Sequence, residues 1–385
     1  MENSATATET TMQMFDVYHL FDIDITKASG STLWDSKGKE YLDLYGGHAV
    51  ISVGHSHPEY VQALTKQLQH ISFYSNSIHI KQQEELAQKL GRLSGYNDYQ
   101  LFLCNSGAEA NENAFKLASF YTGKKKIIAF GKSFHGRTSL AVAATDNPQI
   151  VAPINQNEHI TFLPLNDTSA FDYAFSDDVA GVIIEGIQGV AGVYAPTIAF
   201  LQHIEKACKA KNIPLILDEV QSGYGRTGKF FAHQRAGIKP DIITIAKGMG
   251  NGFPVAGVMI APHIKAKKEM LGTTFGGNYL ACVAAISVLD IIEKENLITN
   301  AQEQGKYLVS KLQDISKVKE IRGLGLMIGI ELYEPCAEVR RRLLEEHHIF
   351  VGSSSNKNTI RILPSLAITE VQINQFIEAF KSVIT

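Results

Sequence analysis

The chain has 385 residues, of which 45% are hydrophobic, and its formal net charge at pH 7 is −3. That length and composition are sufficient for a large buried core and for more than one lobe. The small net charge, with charged residues dispersed along the chain, gives no electrostatic case for a nucleic-acid or anionic-membrane partner.

The cysteines and the N-terminus predict an intracellular, cytoplasmic protein. The polar opening stretch MENSATATETT lacks the apolar segment of a signal peptide. No apolar run approaches the ~20 residues that a membrane helix needs. The cysteines lie far apart, which is typical of buried thiols in a reducing compartment and not of disulfides or a zinc site. They are Cys104, Cys208, Cys282 and Cys336.

The N-terminal part of the chain predicts a hairpin, followed by a loop that contains two histidines. The stretch GSTLWDSKGKEYLDL has turn residues at Lys37-Gly38 between two strand-like runs. His55 and His57, in GHSHP, have a spacing that could suggest a metal site. Since no carboxylate or cysteine lies near them in the sequence, we expect a loop that precedes a helix beginning at Pro58, and no metal.

Short apolar runs, each with a glycine or a polar residue at its end, follow through the central part of the chain. They are QLFLCNSG, KIIAFGKSFHG, AGVIIEG, IPLILDEVQSG, DIITIAKG and VAGVMIA. Their length and Val, Ile and Leu content are typical of strands buried on both faces. Helical patterns over 109–121 and 197–211 lie between some of them. This alternation predicts an α/β fold with a mostly parallel central sheet and site residues at strand ends.

After about residue 285 the pattern changes to long amphipathic helices and short strands. Thr369 with Gln372 predicts a capping box at the last helix. We therefore expect a large domain over residues 46–275 and a smaller α+β domain built from both termini, 1–45 and 276–385.

Two strand ends carry groups that suit an anionic, planar ligand. In CNSGAEANENAFKLA a strand ends and a helix begins at Gly107 and Ala108, and backbone N–H groups at a helix start favour a phosphate. In LILDEVQSGYGRTG, Asp218 ends an apolar strand, where a carboxylate needs a cation or a hydrogen-bond donor, and a protonated pyridine nitrogen would be such a partner. An ordinary turn and an arginine salt bridge are the alternatives for these two motifs.

Three further motifs add reactive or binding groups. Lys247 ends the strand in DIITIAKGMGNG, and a desolvated lysine can attack a carbonyl as a free amine. Phe134 and Arg137, in FGKSFHGRTSLAV, could stack on a ring and bind a carboxylate. GTTFGGN offers hydroxyls at Thr273 and Thr274. Core, surface and turn positions are the alternatives for these residues, but together the motifs describe pyridoxal phosphate, a ligand with a phosphate, a pyridine nitrogen and an aldehyde.

The order of these motifs resembles that of the class III pyridoxal-phosphate-dependent aminotransferases of fold type I. The resemblance covers nearly the whole chain, from LWDSKGKEYLDLYGGHAVISVGHSHP to IRILPSLAIT, and is strongest toward enzymes that act on N2-acetylornithine or N2-succinylornithine. It implies that Lys247 forms the Schiff base and moves the proton, and that Asp218 keeps the pyridine nitrogen protonated. The other cofactor contacts that it implies are Gly107, Ala108, Phe134, Glu219, Val220, Gln221 and Thr274, and the substrate contacts are Arg137, Thr273, Glu185 and Arg361. Thr274 is expected to serve the neighbouring subunit of a homodimer with shared sites, and Arg361 the α-carboxylate of glutamate or 2-oxoglutarate.

One position departs from the family pattern. Where members commonly read Glu-Pro-x-Gln-Gly-Glu, residues 185–190 read EGIQGV, so the second glutamate is Val190. In many members that glutamate pairs with the arginine that matches Arg361. Its absence leaves Arg361 more available to carboxylates and suggests a preference for N-succinylornithine, unless another residue masks the arginine.

The resemblance implies a function in arginine biosynthesis. The δ-amino group of an N2-acylornithine would move to 2-oxoglutarate, giving the N-acylglutamate semialdehyde and glutamate. Alternatives that stay open are another ω-amine transaminase, for ornithine or 4-aminobutyrate, and a non-transaminating pyridoxal-phosphate enzyme such as an aminomutase.

Overall fold

A computed structural model describes residue 12 and residues 14–384. The predicted absence of a signal peptide concerns residues 1–11, which lie outside the described residues. The strands are β1 (Ile25–Ser29), β2 (Thr32–Asp35), β3 (Glu40–Asp43), β4 (Gln100–Cys104), β5 (Lys126–Phe130), β6 (Ile160–Leu163), β7 (Val179–Glu185), β8 (Leu215–Asp218), β9 (Ile242–Ile245), β10 (Ala256–Ile260), β11 (Val318–Leu324), β12 (Met327–Leu332), β13 (Ile349–Phe350) and β14 (Thr359–Ile362). The α-helices are α1 (Gly46–Ala49), α2 (Pro58–Leu68), α3 (Lys81–Ser94), α4 (Gly107–Thr122), α5 (Ser139–Ala143), α6 (Thr168–Ala174), α7 (Gly189–Gly192), α8 (Ile198–Lys211), α9 (Tyr279–Lys294), α10 (Leu297–Leu312), α11 (Ala337–His347) and α12 (Glu370–Val383).

The central sheet has seven strands in the order β4-β10-β9-β8-β7-β5-β6. Strands β6, β5, β7, β8 and β9 pair in parallel, which confirms the predicted mostly parallel α/β fold. Strand β10 runs antiparallel to both of its neighbours, β9 and β4. Strand β4 therefore runs in the same direction as β9 and the other parallel strands. The carboxyl ends of β4, β7, β8 and β9 lie at the same edge of the sheet.

Strands from both ends of the chain share a second sheet. Strands β2 and β3 form the predicted antiparallel hairpin, and the C-terminal strand β13 pairs in parallel with β3. A third sheet, β11-β12-β14, comes from the C-terminal part alone. One buried apolar cluster extends from the hairpin through β9 to α12, so these sheets share a core.

Helix caps fix the chain where it enters the site and where it ends. Ser106 caps α4, its hydroxyl accepting from Glu109 N at 3.2 Å. Thr197 caps α8, and the predicted capping box of Thr369 and Gln372 opens α12. None of the helices in the described part of the chain is long and apolar enough to cross a membrane.

Candidate active site

A cavity of about 380 Å³ lies where β4, β7, β8 and β9 end. That is within the size range of small-molecule sites. Its wall includes nine residues expected from the sequence: Gly107, Ala108, Phe134, Arg137, Glu185, Asp218, Val220, Gln221 and Lys247. Residues from four strand ends therefore converge on one space, as expected at the carboxyl edge of such a sheet.

The start of α4 forms one wall of the cavity and suits an anion. The first-turn N–H groups of a helix lack intrahelical acceptors and carry the positive end of its dipole. A Cβ at Gly107 would lie 2.7 Å from Val220 Cγ1, so only glycine fits there without a shift. Gly136, with φ +141°, allows a similarly close approach, because its Cβ would lie 2.7 Å from that of Ala108.

Asp218, at the end of β8, accepts hydrogen bonds from a histidine, an asparagine and a backbone N–H. The arginine salt bridge that was the alternative interpretation is not formed by the residues that the structure describes. Asp218 Oδ2 accepts from His135 Nδ1 at 2.7 Å and from Asn111 Nδ2 at 2.8 Å. Its Oδ1 accepts from the backbone N–H of Val220 at 3.0 Å. Since a carboxylate has about four acceptor positions, Asp218 retains capacity for a cationic donor in the cavity.

Lys247 lies two residues beyond the end of β9, in a left-handed backbone conformation with φ 45°, which a non-glycine residue adopts at some cost. Burial lowers the pKa of its amine, an effect opposed by the nearby charges of Asp218 and Glu185. Within residues 14–384 its Nζ makes no salt bridge. The direction of this pKa shift favours the free amine, which is the nucleophilic form of lysine.

Glu185 ends β7 in register with Asp218 on β8. Its Oε1 accepts from Phe134 N at 3.0 Å and its Oε2 from Gly189 N at 3.2 Å. Burial, with a smaller contribution from Asp218, raises its pKa to about 7. Glu185 thus fixes the backbone of Phe134, whose ring lines the cavity, and it can change protonation state near neutral pH.

Two arginines bring positive charge to this region. Arg137 lines the cavity and forms neither a hydrogen bond nor a salt bridge with the described residues. Arg361 is 3% exposed and is not among the residues that line the cavity. Its Nε donates to Ser353 O, and its Nη2 donates to Tyr45 Oη at 3.1 Å. Burial lowers its pKa, and no carboxylate of the described chain pairs with it.

Four of the expected residues do not line the cavity: Glu219, Thr273, Thr274 and Arg361. The carboxylate of Glu219 points away from the cavity, because it accepts from Ala232 N, His233 N, His233 Nδ1 and Ser222 Oγ. Gln221 lines the cavity while its Nε2 donates to His48 O at 3.1 Å. Neither Thr273 nor Thr274 lines the cavity of its own chain, and Thr274 is exposed.

His55 and His57 do have carboxylate partners, contrary to what their sequence neighbours suggested. His55 Nε2 lies 2.8 Å from Asp43 Oδ2, and His57 Nε2 lies 2.9 Å from Glu295 Oε1. The partners come from β3 and from the end of α9, so only the folded chain brings them near. No cluster of three or more potential metal ligands occurs among the residues that the structure describes.

Four residues of this region carried no assigned role in the sequence analysis. Asn111 lies one turn inside α4, and His135 directly follows Phe134; both contact Asp218. Tyr45 and His48 lie between β3 and α2, next to Arg361 and Gln221. A polar residue at the fifth position of a predicted helix at the site was a usable signal for Asn111, whereas the contacts of Tyr45 depend on packing between distant parts of the chain.

Comparisons with known proteins agree with this arrangement. An acetylornithine aminotransferase from Bacillus subtilis is 41% identical, covering 96% of this chain and 97% of the relative. One from Methanothermobacter thermautotrophicus is 38% identical over 94% of each chain. The solved ornithine aminotransferase of Toxoplasma gondii, described with pyridoxal phosphate (PLP) at its active site, superposes with a TM-score of 0.88 at 27% identity, covering 96% of this chain and 92% of that one.

A second solved structure, the acetylornithine aminotransferase from Elizabethkingia anophelis, gives a TM-score of 0.82 at 29% identity over 96% of each chain. The sequence also matches the family described as Aminotransferase class-III over residues 14–384. The match spans both the cavity and the two sheets that contain C-terminal strands. The chain belongs to the class-III aminotransferases.

Proposed function

We propose that this chain is a pyridoxal-phosphate-dependent N-acylornithine aminotransferase. The observation that carries the proposal is the convergence, in one cavity, of a lysine with a lowered pKa, a buried strand-end carboxylate and a glycine-opened helix start. These are the partners that an aldehyde, a protonated ring nitrogen and a phosphate require.

The residues present fit this cofactor. The N–H groups of Gly107 and Ala108 would bind the phosphate, Asp218 the ring nitrogen, and Phe134 and Val220 the ring, with Gln221 at its hydroxyl. Glu219 supports the site from outside the cavity, since its carboxylate accepts from Ser222, Ala232 and His233 and its backbone N–H donates to Thr244 O at 3.0 Å. When bound, pyridoxal phosphate supplies a carbonyl for covalent attachment and an electron sink beside the reacting carbon.

The chain's own residues would perform the proton chemistry. Lys247, as a free amine, would be the base that takes the proton from the substrate carbon bonded to the amino nitrogen, and its ammonium form would be the acid that gives the proton back. Asp218 would accept from the cationic ring nitrogen, and the donors His135 Nδ1 and Asn111 Nδ2 on its Oδ2 hold its carboxylate in place. Glu185 holds the backbone next to Phe134 and so fixes the ring position.

The proposed substrates are inferred from two arginines that have no carboxylate partner among the described residues, and from the relatives. Arg137 and Arg361 can each bind a carboxylate, as a reaction that alternates between an acylated amino acid and a dicarboxylate requires. The curated relatives at 41% and 38% identity are named acetylornithine aminotransferases. The δ-amino group of N2-acetylornithine or N2-succinylornithine would pass to 2-oxoglutarate, giving the N-acylglutamate semialdehyde and glutamate, a cytoplasmic step of arginine biosynthesis.

The identity of the acyl group is the open part of this proposal. Val190 lines the cavity, and its apolar side chain offers no charge to Arg361. Its carbonyl accepts from Ser355 N at 2.9 Å. The uncompensated arginine supports preferential use of the succinyl substrate, which carries an extra carboxylate. Ornithine and 4-aminobutyrate are the competing donors.

We also propose a homodimer with shared sites. Phe275 is 61% exposed and its ring centroid lies 5.3 Å from that of Phe73, within a surface that also exposes Tyr74 and Ile78. Exposed apolar patches mark association surfaces. Thr274 lies in this surface, outside the cavity of its own chain, as a residue that serves a neighbouring subunit would. The domain division at 45/46 and 275/276 remains part of the proposal, supported by the sheet that β1–β3 share with β13.

The test is a donor panel under identical conditions. The holoenzyme is assayed with 2-oxoglutarate and N2-acetylornithine, N2-succinylornithine, ornithine or 4-aminobutyrate, and kcat/KM is compared. We expect both acylornithines to exceed the other two donors by at least tenfold, with the succinyl compound ahead. Equal or better turnover of ornithine would contradict the proposed substrate class, and a clear acetyl preference would remove the succinyl hypothesis alone.

A further inference from the structure

The buried guanidinium of Arg361 raises the question of what holds it in place. Among the described residues its hydrogen-bond partners are the carbonyl of Ser353 and the hydroxyl of Tyr45. Its Nη1 is buried and has no partner in that same set. A buried cation without a carboxylate needs well-placed neutral acceptors, and Tyr45 provides the side-chain acceptor.

The ring of Tyr45 is itself fixed by the backbone next to Arg361. Gly352 and Arg361 exchange two backbone hydrogen bonds, of 2.9 and 3.0 Å. A Cβ on Gly352 would lie 2.3 Å from Tyr45 Cε2, so the ring packs directly on this glycine. The guanidinium carbon lies 5.6 Å from the ring centroid, within cation–π range.

The hydroxyl of Tyr45 connects Arg361 to His48. Its oxygen accepts from Arg361 Nη2, and its remaining contact is His48 Nδ1. Since the hydroxyl carries one proton, all three groups are satisfied when it donates to Nδ1 of a neutral imidazole. Partial burial, Arg361 and Lys247 all lower the pKa of His48, which favours that neutral form.

We propose that Tyr45 is the positioning residue for Arg361, a neutral partner that fixes the guanidinium fork and leaves its charge free for the carboxylate of a five-carbon dicarboxylate substrate. A carboxylate partner would neutralise the cation and compete with the substrate. A hydroxyl supported by His48 orients Nη2 without neutralising it. The inference rests on the proposed function, because it assigns Arg361 to the dicarboxylate.

Tyr45→Phe removes the hydroxyl and keeps the ring on Gly352. Losing one hydrogen bond to a charged group should weaken dicarboxylate binding about tenfold. Tyr41→Phe is the matched control, since the Tyr41 hydroxyl donates to Asp35 Oδ2 at 3.1 Å and neither residue lines the cavity. The readouts are the Kd of the holoenzyme for glutarate, a non-reacting dicarboxylate, by calorimetry, and the KM for 2-oxoglutarate.

We expect both constants to rise about tenfold in Tyr45→Phe and less than twofold in Tyr41→Phe, with KM for the acylornithine and the melting temperature alike in the two variants. Unchanged glutarate binding in Tyr45→Phe would overturn the inference, whatever the catalytic activity. A fall in melting temperature or in donor turnover larger than that of the control would also overturn it, by showing a structural role. Failure of the proposed function is distinguished by a different result, the absence of any absorbance change when glutamate is added to the wild-type holoenzyme.

Discussion

Glu185 should make the stability of the cofactor-free protein fall between pH 5 and pH 8. Its side chain is buried at the end of β7, and burial raises its pKa from the ordinary 4.5 to about 7. A carboxyl group whose folded-state pKa is raised contributes its full stability below pH 4.5 and loses it as the pH rises through 7. The difference between those two values corresponds to about 3 kcal/mol.

Glu185→Gln removes this dependence. At pH 5 the variant and the wild type should be similar, because an amide and a protonated carboxyl each bring a donor toward the N–H of Phe134 or Gly189. At pH 8 the wild type must hold a buried charge that the variant lacks. With an m value of about 3 kcal/mol/M, the variant should gain about 1 M in its urea midpoint relative to the wild type.

The assay is urea unfolding of the cofactor-free proteins at pH 5, 6, 7 and 8. Glu40→Gln, on the exposed edge of β3, controls for the general loss of one negative charge. An equal difference in urea midpoint between Glu185→Gln and the wild type at pH 5 and pH 8 would refute the reasoning. So would a wild-type midpoint that rises relative to that of the variant as the pH increases.

Three further predictions concern the cavity and the apolar surface. Lys247→Ala should abolish turnover. The circular dichroism spectrum should stay unchanged, because removing an amine that is costly to bury does not destabilise the fold. Residual turnover above 1% of wild type would contradict the role assigned to Lys247. Asp218→Asn should lower kcat about 100- to 1,000-fold. It should also lower the melting temperature by a few degrees, because the new NH2 group must face either the His135 and Asn111 donors or the Val220 N–H. A fall in kcat of less than tenfold would argue against a ring nitrogen paired with Asp218. Phe275→Asp should convert a dimer to a monomer in sedimentation velocity, and an unchanged dimer would place the subunit contact elsewhere.

Local patterns in the sequence were sufficient to predict much of the fold. Buried parallel strands have apolar runs that stop at polar residues, so β7, β8 and β9 and the site residues at their ends could be located without a structure. Turn and cap chemistry identified the β2–β3 hairpin and the start of α12. The direction of β10 was not predictable in this way, because an apolar run does not reveal which way its strand enters the sheet.

Contacts between distant parts of the chain were beyond these patterns. The donors to Asp218 come from a helix and a loop, and their approach depends on how α4 packs on the sheet. Tyr45 and Arg361 are 316 residues apart, and neither has a local pattern that names the other. The family resemblance implied that Glu219 contacts the cofactor. Its carboxylate instead accepts from the backbone N–H and Nδ1 of His233, because those donors surround it.

The most direct test of the account is the site of covalent attachment of the cofactor. The holoenzyme is reduced with borohydride and digested, and the peptides are analysed by mass spectrometry. We predict a single pyridoxyl adduct, on Lys247, that is lost when the reduction follows prior conversion with glutamate. An adduct on another lysine, or none, would contradict the account.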